Sequence, residues 1–126
     1  MKTTNEKMLD AYIECAFWSS VHFDDENDNC GTPMDSMDLD LAGEAKEAMA
    51  KDCDDFLALL ESEGVEWQGE LSSDQMGHDF WFTRNRHGVG FWDRGLGELG
   101  DVLTKWAHSY GSCYLYVGYD GQTYIE

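Results

Sequence analysis

Basic residues are scarce in this chain of 126 residues, which has 8 Lys+Arg against 26 Asp+Glu and a formal net charge of −18. Surfaces that bind nucleic acid phosphates or anionic lipid need clustered Lys and Arg. The composition therefore argues against direct contact with nucleic acid or with a membrane. No apolar run approaches the roughly 20 residues that span a bilayer, and the N-terminus lacks the apolar core of a signal peptide. These absences predict a cytoplasmic protein.

Closely spaced cysteine pairs are also missing. The chain has four cysteines, and none of them forms the C-x-x-C motif used for zinc binding or redox chemistry. Nothing else in the sequence suggests secretion. We therefore expect reduced thiols, most of them buried as small apolar groups.

Aromatic residues, by contrast, are plentiful. They make up 13% of the chain, and hydrophobic residues make up 42%. Acidic segments that stay disordered have few aromatics, so the composition predicts a folded protein. The length allows one domain, which we place at residues 1–126.

Three segments have the spacing of amphipathic helices. Thr3-x-x-Glu6 matches a capping box, and the apolar residues that follow recur at spacings of three and four, which predicts a helix over 3–20. Two further apolar stripes predict helices over 41–63 and 97–110.

An aromatic-rich stretch in the second half predicts a β-hairpin. Residues 78–83 and 89–93 would pair around a turn at 85–88, which places Asp79 opposite Arg94. The large aromatic side chains of this hairpin are assigned to the core: Phe80, Trp81, Phe91 and Trp92.

A second hairpin is predicted from residues 113–119 and 122–125, which flank the strong turn signal Asp120-Gly121. The predicted element order is ααββαββ. The predicted fold class is α+β, with a small antiparallel sheet of two aromatic hairpins covered by three helices.

Histidine and aspartate residues gathered in the first hairpin leave one alternative open. A small metal-dependent or acid/base enzyme could be centred on His78, Asp79, His87 and Asp93. However, His78 and His87 would lie at opposite ends of the hairpin, and pairing of Asp79 with Arg94 explains the same residues structurally. The chain has no nucleophile elbow, P-loop or dinucleotide-binding motif. We therefore favour a protein without enzymatic activity, bound metal or cofactor.

A long acidic loop after the first helix resembles part of a calcium site. Asp25-x-Asn27-x-Asn29 matches the first ligand positions of an EF-hand loop. Cys30 and Ser36 stand where that loop needs a glycine and a bidentate glutamate. The sequence therefore does not predict an EF-hand.

Negative charge is concentrated in the first part of the chain. Residues 1–79 hold 21 of the acids and four of the basic residues, whereas 80–126 hold five acids and four basic residues. Solubility alone could explain this composition. Alternatively, carboxylates spaced along helices and a loop could imitate a phosphate backbone and occupy a basic groove on a DNA- or RNA-handling protein. Such binding would be fast and sensitive to salt.

The segment 78–93, of pattern HDFWxTRNxHGxGFWD, resembles the signature of a family of small acidic proteins from bacteriophages, prophages and other mobile elements. The similarity extends to 12–20, 52–56 and 110–121. Position 86 is Arg where the resemblance leads us to expect Gly. Small acidic phage proteins include inhibitors of host restriction and CRISPR systems, so the resemblance favours mimicry by analogy.

We therefore predict a non-enzymatic phage-type protein that binds and inhibits a basic, nucleic-acid-handling protein of the host cell, such as a CRISPR or restriction component, through a DNA-mimicking carboxylate surface. The predicted partner-binding residues are acids of the loop and second helix: Asp24, Asp25, Glu26, Asp28, Asp38, Asp40, Glu44, Glu47, Asp54, Asp55 and Glu61. A second candidate site at the hairpin tip, where function often lies, comprises Arg84, Arg86 and His87.

Overall fold

The fold combines helices with two small sheets, as a computed structural model of the chain describes for residues 2–23, 31–86 and 90–126. In this part of the chain there are four α-helices and two separate antiparallel sheets of two strands each. The elements in chain order are α1 (Thr4–Ser19), β1 (Val21–His22), β2 (Thr32–Pro33), α2 (Gly43–Ser62), α3 (Ser73–Arg84), α4 (Glu98–His108), β3 (Leu115–Val117) and β4 (Thr123–Ile125). The α+β class is as predicted, but the order ααββαββ is wrong.

The first helix begins as its sequence predicts. The Thr3 hydroxyl accepts a hydrogen bond from the backbone N–H of Glu6 at 3.1 Å, and the Glu6 carboxylate accepts one from the N–H of Thr3 at 3.4 Å. This reciprocal pair satisfies two of the N–H groups that a helix end leaves without partners. The helices predicted over 41–63 and 97–110 are confirmed, each within about two residues at either end.

The predicted hairpin of 78–83 and 89–93 is wrong. Residues 73–84 form helix α3, whose first turn is capped by the Ser72 hydroxyl accepting from the N–H of Gln75 at 3.1 Å. Phe91–Asp93 is a single 3₁₀ turn.

The cause of this error is the burial of α3 on nearly every side. Eight of its residues are buried, and the last six of these are consecutive: Met76, Gly77, Asp79, Phe80, Trp81, Phe82, Thr83 and Arg84. A helix that is enclosed by its neighbours has no polar face, so its sequence lacks the helical period. An apolar run of this kind cannot be distinguished from a strand by periodicity.

Helices α1 and α3 approach each other so closely that their backbones are almost in contact. A Cβ built on Gly77 would lie 2.1 Å from the carbonyl oxygen of Met8 and 3.0 Å from the backbone nitrogen of Tyr12. Residue 77 must therefore lack a side chain for the two helices to cross at this distance.

The predicted C-terminal hairpin is present as β3 and β4, paired in the register Tyr116 to Tyr124. It is joined to the chain ahead of α2, because the N–H of Thr123 donates to the carbonyl of Asp40 and the N–H of Ala42 donates to the carbonyl of Thr123, both at 2.8 Å. The hairpin therefore fixes the point at which α2 begins. It forms a sheet of its own rather than one shared with a second hairpin.

Aromatic side chains dominate the core. The Phe56 and Phe80 rings stack with centroids 4.2 Å apart, and the Tyr12 ring lies 5.3 Å from that of Phe80. Phe80, Trp81 and Phe91 are buried as predicted, but the assignment of Trp92 to the core is wrong, since 43% of its surface is exposed. No helix in the described ranges is both long and apolar enough to cross a bilayer.

Candidate functional site

Helix α2 presents a row of carboxylates on the side opposite the core. Ala45, Met49, Cys53, Phe56 and Leu60 form its buried face. The acids predicted for this helix are all exposed: Glu44, Glu47, Asp54, Asp55 and Glu61. With a rise of about 1.5 Å per residue, the row from Glu44 to Glu61 is about 26 Å long.

Few cations neutralise this row. Lys51 Nζ lies 2.7 Å from the carboxylate of Asp55, and Asn5 Nδ2 donates to the carboxylate of Asp54 at 2.6 Å. Glu44, Glu47 and Glu61 form no ion pair with any residue that the structure describes. Most of the row's charge is therefore available to an external cation.

Asp38 and Asp40 extend the acidic surface beyond the start of α2. Both aspartates are exposed. The leucines that alternate with them, Leu39 and Leu41, are partly buried against the core. The backbone bond from Thr123 to the carbonyl of Asp40 holds this segment in place. Of the predicted partner-binding residues, four loop acids lie outside the described residues: Asp24, Asp25, Glu26 and Asp28.

The acidic surface is not restricted to the predicted residues. Among the residues described, every Asp and Glu except Asp52 and Asp79 is exposed. Further carboxylates lie on α1 and at the start of α4, including Asp10, Glu14 and Glu98. In the described part of the chain, the predicted patch is therefore one row within a broader acidic surface.

The second candidate site, at a hairpin tip, is not supported for Arg84. Its side chain is 6% exposed and makes an ion pair with Asp52. Its guanidinium donates to Asp52 at 2.6 Å, to the Tyr12 hydroxyl at 2.9 Å, and to the carbonyls of Tyr110 and Gly111 at 3.1 and 2.9 Å. Arg84 is therefore a structural residue that joins α1, α2 and the end of α4.

The other two members of that site differ from Arg84. Arg86 is exposed and has a φ of 57°, the left-handed region that favours glycine. A glycine would adopt this conformation without strain. His87 lies outside the described residues.

Three residues of the enzymatic alternative, His78, Asp79 and Asp93, are described by the structure, and they do not form a group of metal ligands; His87 lies outside the described residues. Asp79 is fully buried and accepts two hydrogen bonds from Arg94, at 2.8 and 2.9 Å. The predicted pairing of Asp79 with Arg94 is therefore confirmed, although Asp79 lies on helix α3 and not in a hairpin. His78 Nδ1 lies 3.7 Å from Asp79, beyond hydrogen-bonding distance. Within the described ranges, no three His, Cys, Asp or Glu side chains lie together as metal ligands.

A groove of about 630 Å³ lies between α1 and α3. Its lining includes Glu14 and Trp18 from α1, His78 from α3, and Arg94. The Trp18 ring contacts the Phe82 ring with centroids 6.1 Å apart, yet 62% of the Trp18 surface is exposed.

Sequence reasoning missed Trp18 as a candidate functional residue. The apolar stripe that predicts α1 includes Ala16 and Phe17, and Trp18 lies beside this stripe rather than in it. The available signal is the position of Trp18 at the edge of the apolar stripe, four residues after Glu14. A tryptophan in such a position is partly exposed, and exposed aromatic residues are enriched at interaction surfaces.

Burial makes the described cysteines poor nucleophiles. Cys15, Cys53 and Cys113 are all buried and free, which confirms the prediction of reduced, buried thiols for these three. Burial, with a smaller contribution from Asp79, raises the pKa of Cys15 to about 12. Burial also raises the pKa of Cys53 and of Cys113.

These pKa shifts predict slow thiol modification. In a Cys30→Ser variant, which leaves only the three buried cysteines, an aromatic disulfide reagent at neutral pH should react at least about 100-fold more slowly with the folded protein than with the urea-unfolded chain, because the thiolate is the reactive form. Absorbance of the released thiol measures both rates. Comparable rates for the two states would contradict the assigned burial.

Comparison with known proteins gives no further assignment: no family model, curated protein or solved structure matches the chain.

Proposed function

We propose that this protein is a non-enzymatic binding module that inhibits a basic, nucleic-acid-handling protein by occupying its cationic groove with carboxylates. The observation that carries the proposal is the row of exposed acids on α2, of which Glu44, Glu47 and Glu61 have no cationic partner among the described residues. The row is about 26 Å long, which matches the scale of a groove that follows nucleic acid over several nucleotides.

The scaffold of this row also suits a binding surface. Helix α2 is held by a fully buried face and by the ion pair between Asp52 and Arg84, so its carboxylates keep a fixed spacing. A preorganised surface loses little conformational freedom on binding, which favours affinity. Unpaired exposed charges of one sign also accelerate encounter with an oppositely charged partner.

The charge density limits what α2 can imitate on its own. Duplex DNA carries about one charge per 1.7 Å of axis, whereas α2 presents five acids and Lys51 over its row. We therefore include Asp38 and Asp40 in the proposed interface and retain the loop acids of the sequence prediction within it. The phage-type origin and the inhibition of CRISPR or restriction components remain part of this proposal, by analogy with the family resemblance.

Charge reversal on α2 tests the proposal. Bacterial nucleic-acid-binding proteins retained by the immobilised protein at low salt, and released at high salt, are identified and then purified. The wild-type protein should displace labelled DNA or RNA from such a partner. The triple variant Glu44→Lys, Glu47→Lys and Glu61→Lys should compete at least about 10-fold less well, because each lost contact contributes up to about 1 kcal/mol.

A matched triple reversal supplies the control. Asp93→Lys, Glu98→Lys and Asp101→Lys change the net charge by the same amount on exposed positions away from α2. Circular dichroism of both variants verifies folding. An equal loss of competition in both triples would assign the effect to net charge alone, and unchanged competition by the α2 triple would refute the proposed surface.

A further inference from the structure

The groove between α1 and α3 combines an exposed indole with carboxylates. Trp18 is 62% exposed and lines this groove of about 630 Å³, and Glu14 lies one helical turn before it on α1. Both residues also line a second groove of about 350 Å³ that includes Met34. The indole therefore stands in a ridge between two concave surfaces, open to an incoming group.

The charges that line the groove between α1 and α3 indicate which kind of group it binds. Its lining includes the carboxylates of Asp10, Glu14 and Asp74. Its one arginine, Arg94, is already engaged in two hydrogen bonds with the buried Asp79. The groove therefore complements a cation and opposes an anion.

One carboxylate of this groove already binds a lysine of the same chain. Lys2 Nζ makes an ion pair with Asp10, at one end of the groove lining. Glu14, beside Trp18, makes no ion pair with a residue in the described ranges. The carboxylate of Glu14, beside the exposed indole of Trp18, is therefore available to bind an external cation.

Arginine fits this pairing of groups better than lysine does. A guanidinium is planar, so it stacks on an indole face while its N–H groups donate to a carboxylate beside the ring. An ammonium group is more strongly hydrated and donates as a point charge. The volume of the groove falls within the range of about 300–1,000 Å³ that is usual for small-ligand sites, enough for a whole side chain with its backbone.

We infer that the α1–α3 groove is a second binding site, which takes an arginine side chain of a basic protein partner, stacked on Trp18 and paired with Glu14. This inference rests on the proposed function for the nature of the partner, but the site uses different residues from the carboxylate row of α2. The two proposals can therefore fail separately.

Titration of the isotope-labelled full chain with capped arginine tests the site directly. Each of the five tryptophans gives an indole N–H signal in a proton–nitrogen correlation spectrum, and Trp18→Phe identifies the one from Trp18. Acetyl-arginine-amide should shift this signal in a saturable way. The neutral isostere acetyl-citrulline-amide should leave it in place, and acetyl-lysine-amide should bind at least about 3-fold more weakly.

Matched variants separate the two contacts. Glu14→Gln should weaken the arginine response at least about 5-fold, whereas Glu63→Gln, at an exposed position after α2, should leave it unchanged. Trp92→Phe, at the other largely exposed tryptophan, should also leave it unchanged. Because these residues are exposed, each variant is expected to keep the wild-type spectrum elsewhere.

The outcomes distinguish this site from the α2 surface. Absence of a Trp18 shift, an equal shift with citrulline, or an equal affinity for lysine overturns the arginine site. The triple reversal on α2 should leave the arginine response intact. A preserved arginine response together with no competition against nucleic acid would overturn the proposed function and leave the groove standing.

Discussion

Replacing Arg84 with alanine is expected to lower the free energy of unfolding by about 3–5 kcal/mol, because it leaves several acceptors without their donor and opens a cavity in the core. The change removes the donors for the carboxylate of Asp52, the hydroxyl of Tyr12 and the carbonyls of Tyr110 and Gly111. Tyr12 is fully buried, so its hydroxyl would be left without this partner and out of reach of water.

The aromatic surroundings add to the cost of losing Arg84. Its guanidinium carbon lies 5.7 Å from the ring centroids of both Phe80 and Tyr110, a distance at which a cation is attracted to the face of a ring. Truncation to alanine would also leave a cavity between these rings, which lowers stability further. The effect is therefore structural, whereas the sequence places Arg84 in a second candidate functional site at a hairpin tip.

Two comparison variants define the origin of the loss. Arg84→Lys should recover little stability, because an ammonium cannot reach the same four acceptors. Asp52→Asn should cost about 1–3 kcal/mol, because the Arg84 side chain is only 6% exposed and loses its counter-charge, although an amide oxygen still accepts a hydrogen bond. Urea unfolding followed by tryptophan fluorescence measures all three. A loss below about 1 kcal/mol for Arg84→Ala would contradict the described network.

Gly77→Ala is expected to destabilise the protein by about 3 kcal/mol or more, the upper part of the range for overpacking. In an ordinary helix interior the same change would stabilise by about 1 kcal/mol, since alanine is the better helix former. Here the new methyl group would lie 2.1 Å from the carbonyl oxygen of Met8. Because that atom belongs to the backbone of α1, the two helices would have to move apart.

Gly43→Ala provides the matched control. Gly43 is the first residue of α2, and a Cβ built there has no heavy atom within 4 Å. This change should stabilise the protein by about 0.4–1 kcal/mol, mainly by restricting the unfolded chain. Thermal unfolding of both variants gives the comparison. Similar stabilities for the two would show that α1 and α3 do not cross at the described distance.

The sequence predicts those parts of the fold that local signals determine. The capping box at Thr3 and the apolar stripes of α1, α2 and α4 depend on residues within one helix, and the Asp120-Gly121 turn depends on a few neighbours. Helix α3 is different, because it is enclosed by its neighbours and needs no polar face. Its sequence therefore lacks the alternation of apolar and polar residues from which a helix is predicted. Its aromatic residues have high β-propensity, which tertiary packing overrides.

Prediction of the candidate sites follows the same division. Exposure of the α2 acids follows from their position opposite the apolar stripe, so the sequence is sufficient to predict it. The groove beside Trp18 depends on α1 and α3 lying side by side, and no local pattern indicates that arrangement. The position of Arg84 is wrong for a related reason, because the sequence predicts a hairpin tip where the structure has the end of a buried helix.

The close crossing at Gly77 also constrains how the chain folds. Met8 and Gly77 are 69 positions apart, and all of α2 lies between them. Bringing such distant points together carries a length-dependent loop-closure cost of about 4 kcal/mol, which must be met before the contact contributes stability. Non-local contacts of this kind slow folding relative to helical bundles of the same size whose neighbouring helices are consecutive. We therefore expect assembly of the α1–α3 pair to come late and to slow the folding of the whole chain.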